Sequence, residues 1–220
     1  MAVGLALICS YIFAGIPTAY LVAKYLKGMD IRQYGTGNVG ASNLMQHISV
    51  KVGFAAGFCD GIVKGLLPIL TLILINQSPG IQIAVALGAV SGHNWSPYLR
   101  FSGGRGIAVS LGIYLAYLLI PEFAVLAFVG GFWGWYIRRD IGLWMMVGMA
   151  FIPIIATLLG RPEEVITITT GITGLLLVKR LTANWEKPVK DEPLLKVMFF
   201  RLLYDRDIAD HAQWVSRKPI

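Results

Sequence analysis

Two segments of this sequence combine glycines with small polar side chains, a composition suited to holding an anion. The first glycine segment, residues 35–43, reads Gly-Thr-Gly-Asn-Val-Gly-Ala-Ser-Asn. Glycines let backbone N–H groups converge on an anion, while Thr, Ser and Asn side chains add neutral donors. The candidate binding residues here are Thr36, Gly37, Asn38, Gly40, Ser42 and Asn43. No Gly-Lys-Ser/Thr follows, so this is not a nucleotide-binding P-loop. The alternative is a tight turn and a helix capped by Asn38 or Ser42.

The second glycine segment, residues 92–106, repeats this composition directly before an apolar stretch. It begins Gly-His-Asn-Trp-Ser-Pro and ends Phe-Ser-Gly-Gly-Arg-Gly. Backbone amides, the positive end of the following helix and the Arg105 guanidinium could together hold a phosphate. His93 could act as an acid or base near neutral pH, or it could be a hydrogen-bonded structural histidine. The candidate residues here are His93, Gly103, Gly104, Arg105 and Gly106.

Asp60 and Lys64 are two ionisable residues inside an otherwise apolar stretch. Four residues apart, they share a helix face and can pair. Ionisable groups inside a membrane span are costly and usually face a polar interior. The pair is therefore either a support for the glycine segments or a purely structural ion pair.

The elements that carry these residues are membrane helices, according to the composition. Of the 220 residues, 56% are hydrophobic and 14% are charged, whereas soluble domains carry about 25% charged residues. No charged residue occurs between Gly65 and Leu99. These features exclude a disordered chain and favour a polytopic membrane protein. Cys9 and Cys59 both lie in apolar runs, so we expect neither a disulfide framework nor a metal site.

Seven stretches are apolar enough to be predicted as transmembrane helices, which need roughly 20 residues each. They are residues 2–23, 52–75, 80–97, 106–120, 122–137, 141–159 and 164–179. With seven spans, every Lys and Arg except Lys64 and Arg161 falls on one side of the membrane. The positive-inside rule then places the N-terminus outside and the C-terminus in the cytoplasm. The membrane topology thus explains the net charge of +7, which does not indicate a nucleic-acid partner.

The sequence therefore predicts an all-α membrane domain over residues 1–186 and a cytoplasmic tail over residues 187–220. Apolar residues recur in the tail near helical spacing, with Lys196 and Arg201 beside them. They are Leu194, Leu195, Met198, Phe199, Leu202 and Leu203. Such an amphipathic helix either lies on an anionic membrane surface or packs under the protein's own cytoplasmic face.

These segments together resemble the bacterial acyl-phosphate:glycerol-3-phosphate acyltransferase family (PlsY). The family's first motif, roughly Gly-Ser-Gly-Asn-Pro/Val-Gly-Ala-Thr-Asn, differs from residues 35–43 by hydroxyl exchanges. The second motif has Gly-His, a proline, and then Phe-x-Gly-Gly-Lys-Gly. It is matched at Gly92, His93, Pro97, Phe101, Gly103, Gly104 and Gly106, with Arg105 in place of the lysine. The Asp60-x-x-x-Lys64-Gly65 element and the predicted topology also agree with the family.

The resemblance implies a seven-helix enzyme of the bacterial plasma membrane with its active site on the cytoplasmic face and no cofactor. The family transfers a fatty acyl group from acyl phosphate to the 1-hydroxyl of glycerol 3-phosphate. The products are lysophosphatidate, a phospholipid precursor, and phosphate. The partners implied are these two substrates and membrane lipids. A phosphate oxygen of the substrate, rather than a side chain, is the implied base.

Five positions depart from the family pattern. Gln46 replaces an arginine, Arg105 a lysine and Gly142 a serine, while Gly174 and Leu177 stand where histidine and asparagine are usual. Each lost donor to a charged substrate costs about 1.5–3 kcal/mol. Two alternatives therefore stay open: an altered or inactive homologue that binds phospholipid precursors, and a small anion transporter. A transporter would carry polar residues at mid-membrane in several spans, whereas here only Asp60 and Lys64 lie deep.

Overall fold

The computed structural model describes residues 1–138, 140–189, 192–208 and 213–214. Residues 190–191, 209–212 and 215–220 of the predicted tail, and Arg139, lie outside the described residues. Within the described ranges the regular secondary structure is helical, and the extended pairing is a single bridge between Ser96 and Ser102. The predicted all-α class is confirmed for this part of the chain.

The α-helices are numbered in chain order within the described residues. They are α1 (Ala2–Ala14), α2 (Thr18–Lys27), α3 (Ala41–His47), α4 (Val50–Cys59), α5 (Leu67–Leu74), α6 (Pro79–Asn94), α7 (Ile107–Ala116), α8 (Ile120–Leu126), α9 (Ile141–Leu158), α10 (Glu163–Thr182) and α11 (Leu194–Tyr204). Two π-helical stretches continue these helices. Asp60–Leu66 joins α4 to α5, and Ala127–Ile137 extends α8.

Four helical stretches are long and apolar enough to cross a membrane. They are Ala2–Lys27, Val50–Leu74, Ile141–Leu158 and Glu163–Trp185, and they coincide with the first, second, sixth and seventh predicted spans. The third to fifth predicted spans coincide with α6, α7 and the helix from α8 to Ile137. Helix α7 has 10 residues and is thus roughly 15 Å long, about half of a bilayer core.

Two predicted spans differ most from the helices in their bounds. The first is interrupted between α1 and α2 because Pro17 has no N–H to continue the helix. The fourth, predicted to reach residue 120, ends at Ala116. Leu118 adopts a left-handed backbone there (φ 51°), and Pro121 sits in the first turn of α8.

Small residues allow the helices to approach closely. Helix α1 packs on α6, where a methyl group on Gly92 would collide with the carbonyl of Tyr11. The π-helical stretch Asp60–Leu66 packs on α7, where a methyl group on Gly112 would collide with the Gly61 carbonyl. Such contacts between small residues are typical of helix packing in membranes. They fix the segment that carries Asp60 and Lys64 against the helix that follows the second glycine segment.

The tail helix α11 packs against α9 and α10. Arg180 donates hydrogen bonds to the carbonyls of Leu202 (3.0 Å) and Leu203 (2.8 Å). Val197 is buried, whereas Leu195 and Phe199 are exposed. One face of α11 therefore packs on the protein itself, the second of the two alternatives, while the other face stays open.

Candidate functional site

The break in the first span is held against the second span and the end of α6. The Gly15 carbonyl accepts a hydrogen bond from the Ser96 hydroxyl at 2.6 Å. The Ile16 carbonyl accepts one from the Lys64 ammonium at 2.5 Å. Backbone groups freed at membrane depth need such protein partners. The break is therefore ordered. It places the Gly15 and Ile16 carbonyls beside the second glycine segment and the Asp60–Lys64 pair.

Asp60 and Lys64 form the predicted ion pair, with Nζ 2.6 Å from Oδ1. Both side chains are buried. The Thr18 hydroxyl also donates to Asp60 Oδ1 at 2.6 Å. His93 Nδ1 lies 3.8 Å from Asp60 Oδ2, which is too far for a hydrogen bond. The pair thus connects the start of α2 to the second span and faces the histidine of the second glycine segment.

A short turn leads into the first glycine segment. Asp30 accepts hydrogen bonds from the Arg32 backbone (3.1 Å) and its guanidinium (2.6 Å). The Arg32 guanidinium holds the pKa of the Asp30 carboxyl below its usual range. Arg32 also lies over the Tyr20 ring, 5.3 Å from its centroid. These contacts join the entry of the segment to α2.

The first glycine segment is organised around Asn43. Asn43 is 1% exposed, and its Nδ2 lies within hydrogen-bond distance of the carbonyls of Ile31, Tyr34 and Asn38 (3.0–3.1 Å). Gly37 has a left-handed backbone, with φ 69°. Asn43 therefore supports the segment from inside rather than offering its amide nitrogen to a ligand.

The turn-and-helix alternative describes part of this segment. Helix α3 does follow, with Gly40 as the N-cap and no side-chain capping bond. Capping by Asn38 or Ser42 does not occur in this conformation. Thr36 Oγ1 accepts a hydrogen bond from the Asn38 amide at 3.4 Å, and Ser42 is exposed.

The second glycine segment folds back on the end of α6. The Gly104 amide donates to the His93 carbonyl at 3.0 Å. A methyl group on Gly103 would collide with the backbone of His93, and one on Gly104 with its imidazole. Gly106, with φ 76°, is the N-cap of α7. Glycine is thus required by close approach at two positions and by backbone conformation at a third.

Asn94 is a site residue that the sequence analysis missed. It has no exposed surface. Within the described residues, neither its Nδ2 nor its Oδ1 has a hydrogen-bond partner. Its Oδ1 lies beside Gly106, at the start of α7. The first amides of an α-helix have no intrahelical acceptor, so an unpaired side-chain acceptor lies beside free helix amides at this point.

The two glycine segments contact each other. The Val39 amide donates to the Gly103 carbonyl at 3.3 Å. A cleft opens at this junction, lined by residues 14–18, Val39, His93, Ser96, Gly103 and Gly104. The structure therefore brings together both segments and the break in the first span, with the Asp60–Lys64 pair next to them.

The end of α10 completes this junction, through residues that carry only a weak signal in the sequence. Lys179 has no exposed surface and donates to the Asn94 carbonyl and to Asn184 Oδ1 (2.6 Å for the second). Asn184 accepts a hydrogen bond from the Gly103 amide (2.9 Å) and donates to its carbonyl (3.2 Å). An asparagine just after a helix is common as a helix stop, so the pattern did not single out Asn184.

Arg105 contacts the tail in this conformation. Its Nε donates to Asp205 Oδ2 at 2.9 Å, and its Nη1 donates to the Lys179 carbonyl at 3.3 Å. Asp205 follows α11 directly. The cation expected to hold a phosphate is thus already paired with a carboxylate.

Several amides of the glycine segments are also engaged within the protein. Gly37 donates to the Tyr34 carbonyl, Gly104 to His93 and Gly103 to Asn184. The donors left for an anion therefore include the first amides of α7, which have no intrahelical acceptor. Within the described ranges, no group of three or more His, Cys, Asp or Glu side chains is arranged to hold a metal.

The remaining departure positions are distributed over α3, the start of α9 and α10. Gln46 is exposed on α3. The Gly142 carbonyl accepts a hydrogen bond from Arg180, and the Tyr204 carbonyl of the tail lies next to Gly142. Gly174 and Leu177 are on α10, with open space beside Gly174.

Comparison with known proteins gives one consistent family. The glycerol-3-phosphate acyltransferase family model matches residues 4–190. A glycerol-3-phosphate acyltransferase of Dehalococcoides mccartyi strain CBDB1 is 35% identical over 213 residues, which cover 94% of this chain and 90% of the relative. A second, from Moorella thermoacetica, is 36% identical over 195 residues, covering 83% and 95%.

Two solved structures share the fold. Both are of PlsY (YgiH), described as an integral membrane glycerol 3-phosphate acyltransferase. The glycerol 3-phosphate form aligns with a TM-score of 0.70 at 26% identity, covering 82% of this chain and 88% of that one. The lysophosphatidic acid form aligns with a TM-score of 0.69 at 25% identity over the same shares.

Proposed function

This chain belongs to the glycerol-3-phosphate acyltransferase family, and from that premise we propose that it acylates the 1-hydroxyl of glycerol 3-phosphate with acyl phosphate as the donor. The product is lysophosphatidate, which serves phospholipid synthesis. The names of the relatives and the two ligand forms of PlsY support the acceptor and the product. Membership in an enzyme family removes the transporter alternative.

The observation that carries the proposal is the junction of the two glycine segments. Val39 and Gly103 join them beside a buried ion pair. Acyl phosphate is already activated, so the protein mainly has to bind anions and align the two reactants. A junction of two anion-binding segments, beside helices long enough to hold an acyl chain, suits this task.

In the reaction, the 1-hydroxyl oxygen attacks the acyl carbonyl carbon, and the bond from that carbon to the phosphate oxygen breaks. Inorganic phosphate leaves, and the hydroxyl proton passes to a phosphate oxygen. No side-chain base is needed, which agrees with His93 packing against Gly104 and facing Asp60. The α7 amides and Arg105 would stabilise the charge that develops on the leaving phosphate.

The proposed site includes residues of both glycine segments and their supporting pair. They are Thr36, Gly37, Asn38, Gly40, Ser42, Asn43, His93, Gly103, Gly104, Arg105 and Gly106, with Asp60 and Lys64. Because several backbone amides bond within the protein, we assign Gly37, Gly103 and Gly104 to shaping the cleft.

We further propose seven spans, with the N-terminus outside and the site at the cytoplasmic face of a bacterial plasma membrane. The distribution of Lys and Arg supports this orientation. The glycine segments and the tail share one end of the bundle, since Arg105 binds Asp205. Acyl chains would then enter from the surrounding lipid.

The test is a direct assay. Purified protein receives acyl phosphate and glycerol 3-phosphate, and both lysophosphatidate and inorganic phosphate are followed. We expect equal amounts of the two products, and none when either substrate is omitted. Release of phosphate without lysophosphatidate, or no product at high enzyme concentration, would reject the proposal.

Arg105→Ala provides an internal control on the site. Loss of one preorganised donor typically lowers turnover by roughly 10²- to 10³-fold. The matched control is Arg100→Asn, because Arg100 is an exposed arginine of the same segment with a left-handed backbone (φ 54°) that Asn tolerates. We expect Arg100→Asn to retain activity. Full activity of Arg105→Ala would remove Arg105 from the site.

A further inference from the structure

We propose that Asn184 is a positioning residue for the acyl transfer. Its side-chain amide holds Gly103 in place by accepting one hydrogen bond from it and donating another to it. This inference rests on the proposed function of the junction between the glycine segments. Asn184 belongs to no motif that the sequence analysis identified. It follows α10, 81 residues from Gly103 in the chain.

The geometry shows a two-point contact. Asn184 Oδ1 accepts from the Gly103 amide at 2.9 Å, and Nδ2 donates to the Gly103 carbonyl at 3.2 Å. Lys179 Nζ binds the same Oδ1 at 2.6 Å and so fixes the amide's orientation. The Gly103 carbonyl also accepts the Val39 amide at 3.3 Å. One carbonyl therefore joins the first glycine segment, the second glycine segment and the end of α10.

The backbone around Asn184 is held in an unfavourable conformation. Ala183, Asn184 and Trp185 are all left-handed, with φ 40°, 56° and 66°. Residues with a Cβ rarely adopt this region, and strain of this kind persists only where the surroundings determine it. A single left-handed residue is enough to stop a helix. Three in succession direct the Asn184 amide onto Gly103.

Gly103 has little freedom on its other side. A methyl group there would collide with the carbonyls of His93 and Asn94, and the adjacent Gly104 amide binds His93. Loss of the Asn184 amide would release Gly103 in one direction only, away from α6. Gly106, the N-cap of α7, lies three residues further on, so the free amides of α7 would move with the segment. A misplacement of about 1 Å can cost 10²-fold in rate.

Asn184→Gly is the sharpest variant. Glycine accepts φ 56° without strain, so the change removes the side-chain amide without straining the backbone. Asn76→Gly is the matched control, because Asn76 has the same residue type and a similar φ of 52°. It precedes α6, whereas the junction follows α6. Asn184→Asp retains an acceptor for Gly103 and Lys179 but loses the donor.

Two measurements are made on each purified full-length variant. Amide hydrogen exchange of residues 101–106 reports the position of the segment without any need for activity. Steady-state kinetics with acyl phosphate and glycerol 3-phosphate report its consequence. For Asn184→Gly we expect faster exchange in this segment and a kcat/KM lower by roughly 10- to 100-fold. The exchange rate and kcat/KM of Asn184→Asp should lie between those of Asn184→Gly and the wild type. Those of Asn76→Gly should match the wild type.

Wild-type exchange and kinetics in Asn184→Gly would overturn the proposal. If that variant does not fold, Asn184→Asp decides: wild-type exchange and kinetics there would equally overturn it. An inactive wild-type protein contradicts the proposed function instead, and the exchange measurement still tests the role of Asn184.

Discussion

At the scale of single residues, Asn43 is a predicted site residue that supports the first glycine segment through its own hydrogen bonds rather than by contacting a ligand. We expect Asn43→Ala to destabilise the protein because its Nδ2 serves three carbonyls, two of them through fully buried contacts. Leaving buried polar groups unpaired costs about 1–3 kcal/mol. The melting temperature in detergent should fall, and the KM for glycerol 3-phosphate should rise as the first glycine segment loosens.

The control for Asn43→Ala is Gln46→Ala, an exposed residue on the same short helix. It should leave the melting temperature unchanged. An Asn43→Ala protein as stable as the wild type would show that the three contacts contribute nothing net.

Residue pairs close in the chain could be predicted, and distant ones could not. The i,i+4 spacing of Asp60 and Lys64 was sufficient to predict an ion pair that the structure contains. Arg105 and Asp205 are 100 residues apart, and no periodicity relates them. The same holds for Asn184 and Gly103. The sequence identified residues that can bind anions, but not the protein groups already bound to them.

At the scale of elements, the end of α11 reaches two of the positions at which the chain departs from the family motifs, Arg105 and Gly142. Asp205 binds Arg105, the carbonyls of Leu202 and Leu203 accept hydrogen bonds from Arg180, and the Tyr204 carbonyl lies beside Gly142. The tail therefore covers the site from the side where polar family residues are missing. The family model ends at residue 190, so this contact comes from the part of the chain beyond it.

The contact between the tail and Arg105 predicts that Asp205 competes with substrate phosphate for Arg105. We expect Asp205→Asn to lower the KM for the phosphorylated substrates several-fold, because the guanidinium favours an anion over a neutral amide. Steady-state kinetics at fixed ionic strength would measure this change in KM. Glu192→Gln is the control, since Glu192 forms an ion pair on the same tail with Lys196 (2.8 Å). A KM that rises in Asp205→Asn would instead mean that the carboxylate holds Arg105 in its binding position.

At the scale of the whole molecule, the apolar runs predicted where the long helices lie but not where they break. Each of the seven runs overlaps a helix of the described residues, whereas α3 comes from no apolar run and the first run is divided into α1 and α2. The break begins at Pro17, which lacks an N–H, and Lys64 binds the freed Ile16 carbonyl, a contact that no local pattern predicts. Such partners decide where a membrane helix can stop.

Polar contacts also define the end of the bundle opposite the glycine segments. Tyr117 donates to Gln82 at 2.6 Å, which ties the end of α7 to the start of α6. Arg161 donates to Glu122 at 2.9 Å, which ties the connection before α10 to the start of α8. The connections 76–78, 117–119 and 160–162 therefore lie together, away from Arg105 and the tail.

This arrangement makes the proposed topology testable with three reporters. After Cys9 and Cys59, both exposed, are replaced by alanine, single cysteines are introduced as Ser78→Cys, Ile120→Cys or Lys196→Cys. A membrane-impermeant maleimide is then added to intact spheroplasts. We expect labelling at 78 and 120, and labelling at 196 only after permeabilisation, because the basic connections stay in the cytoplasm. Positions 78 and 120 lie on opposite sides if only one of the two helices α6 and the 10-residue α7 crosses the membrane. Protection at 120 with labelling at 78 would therefore reduce the number of spans and contradict the seven-span topology.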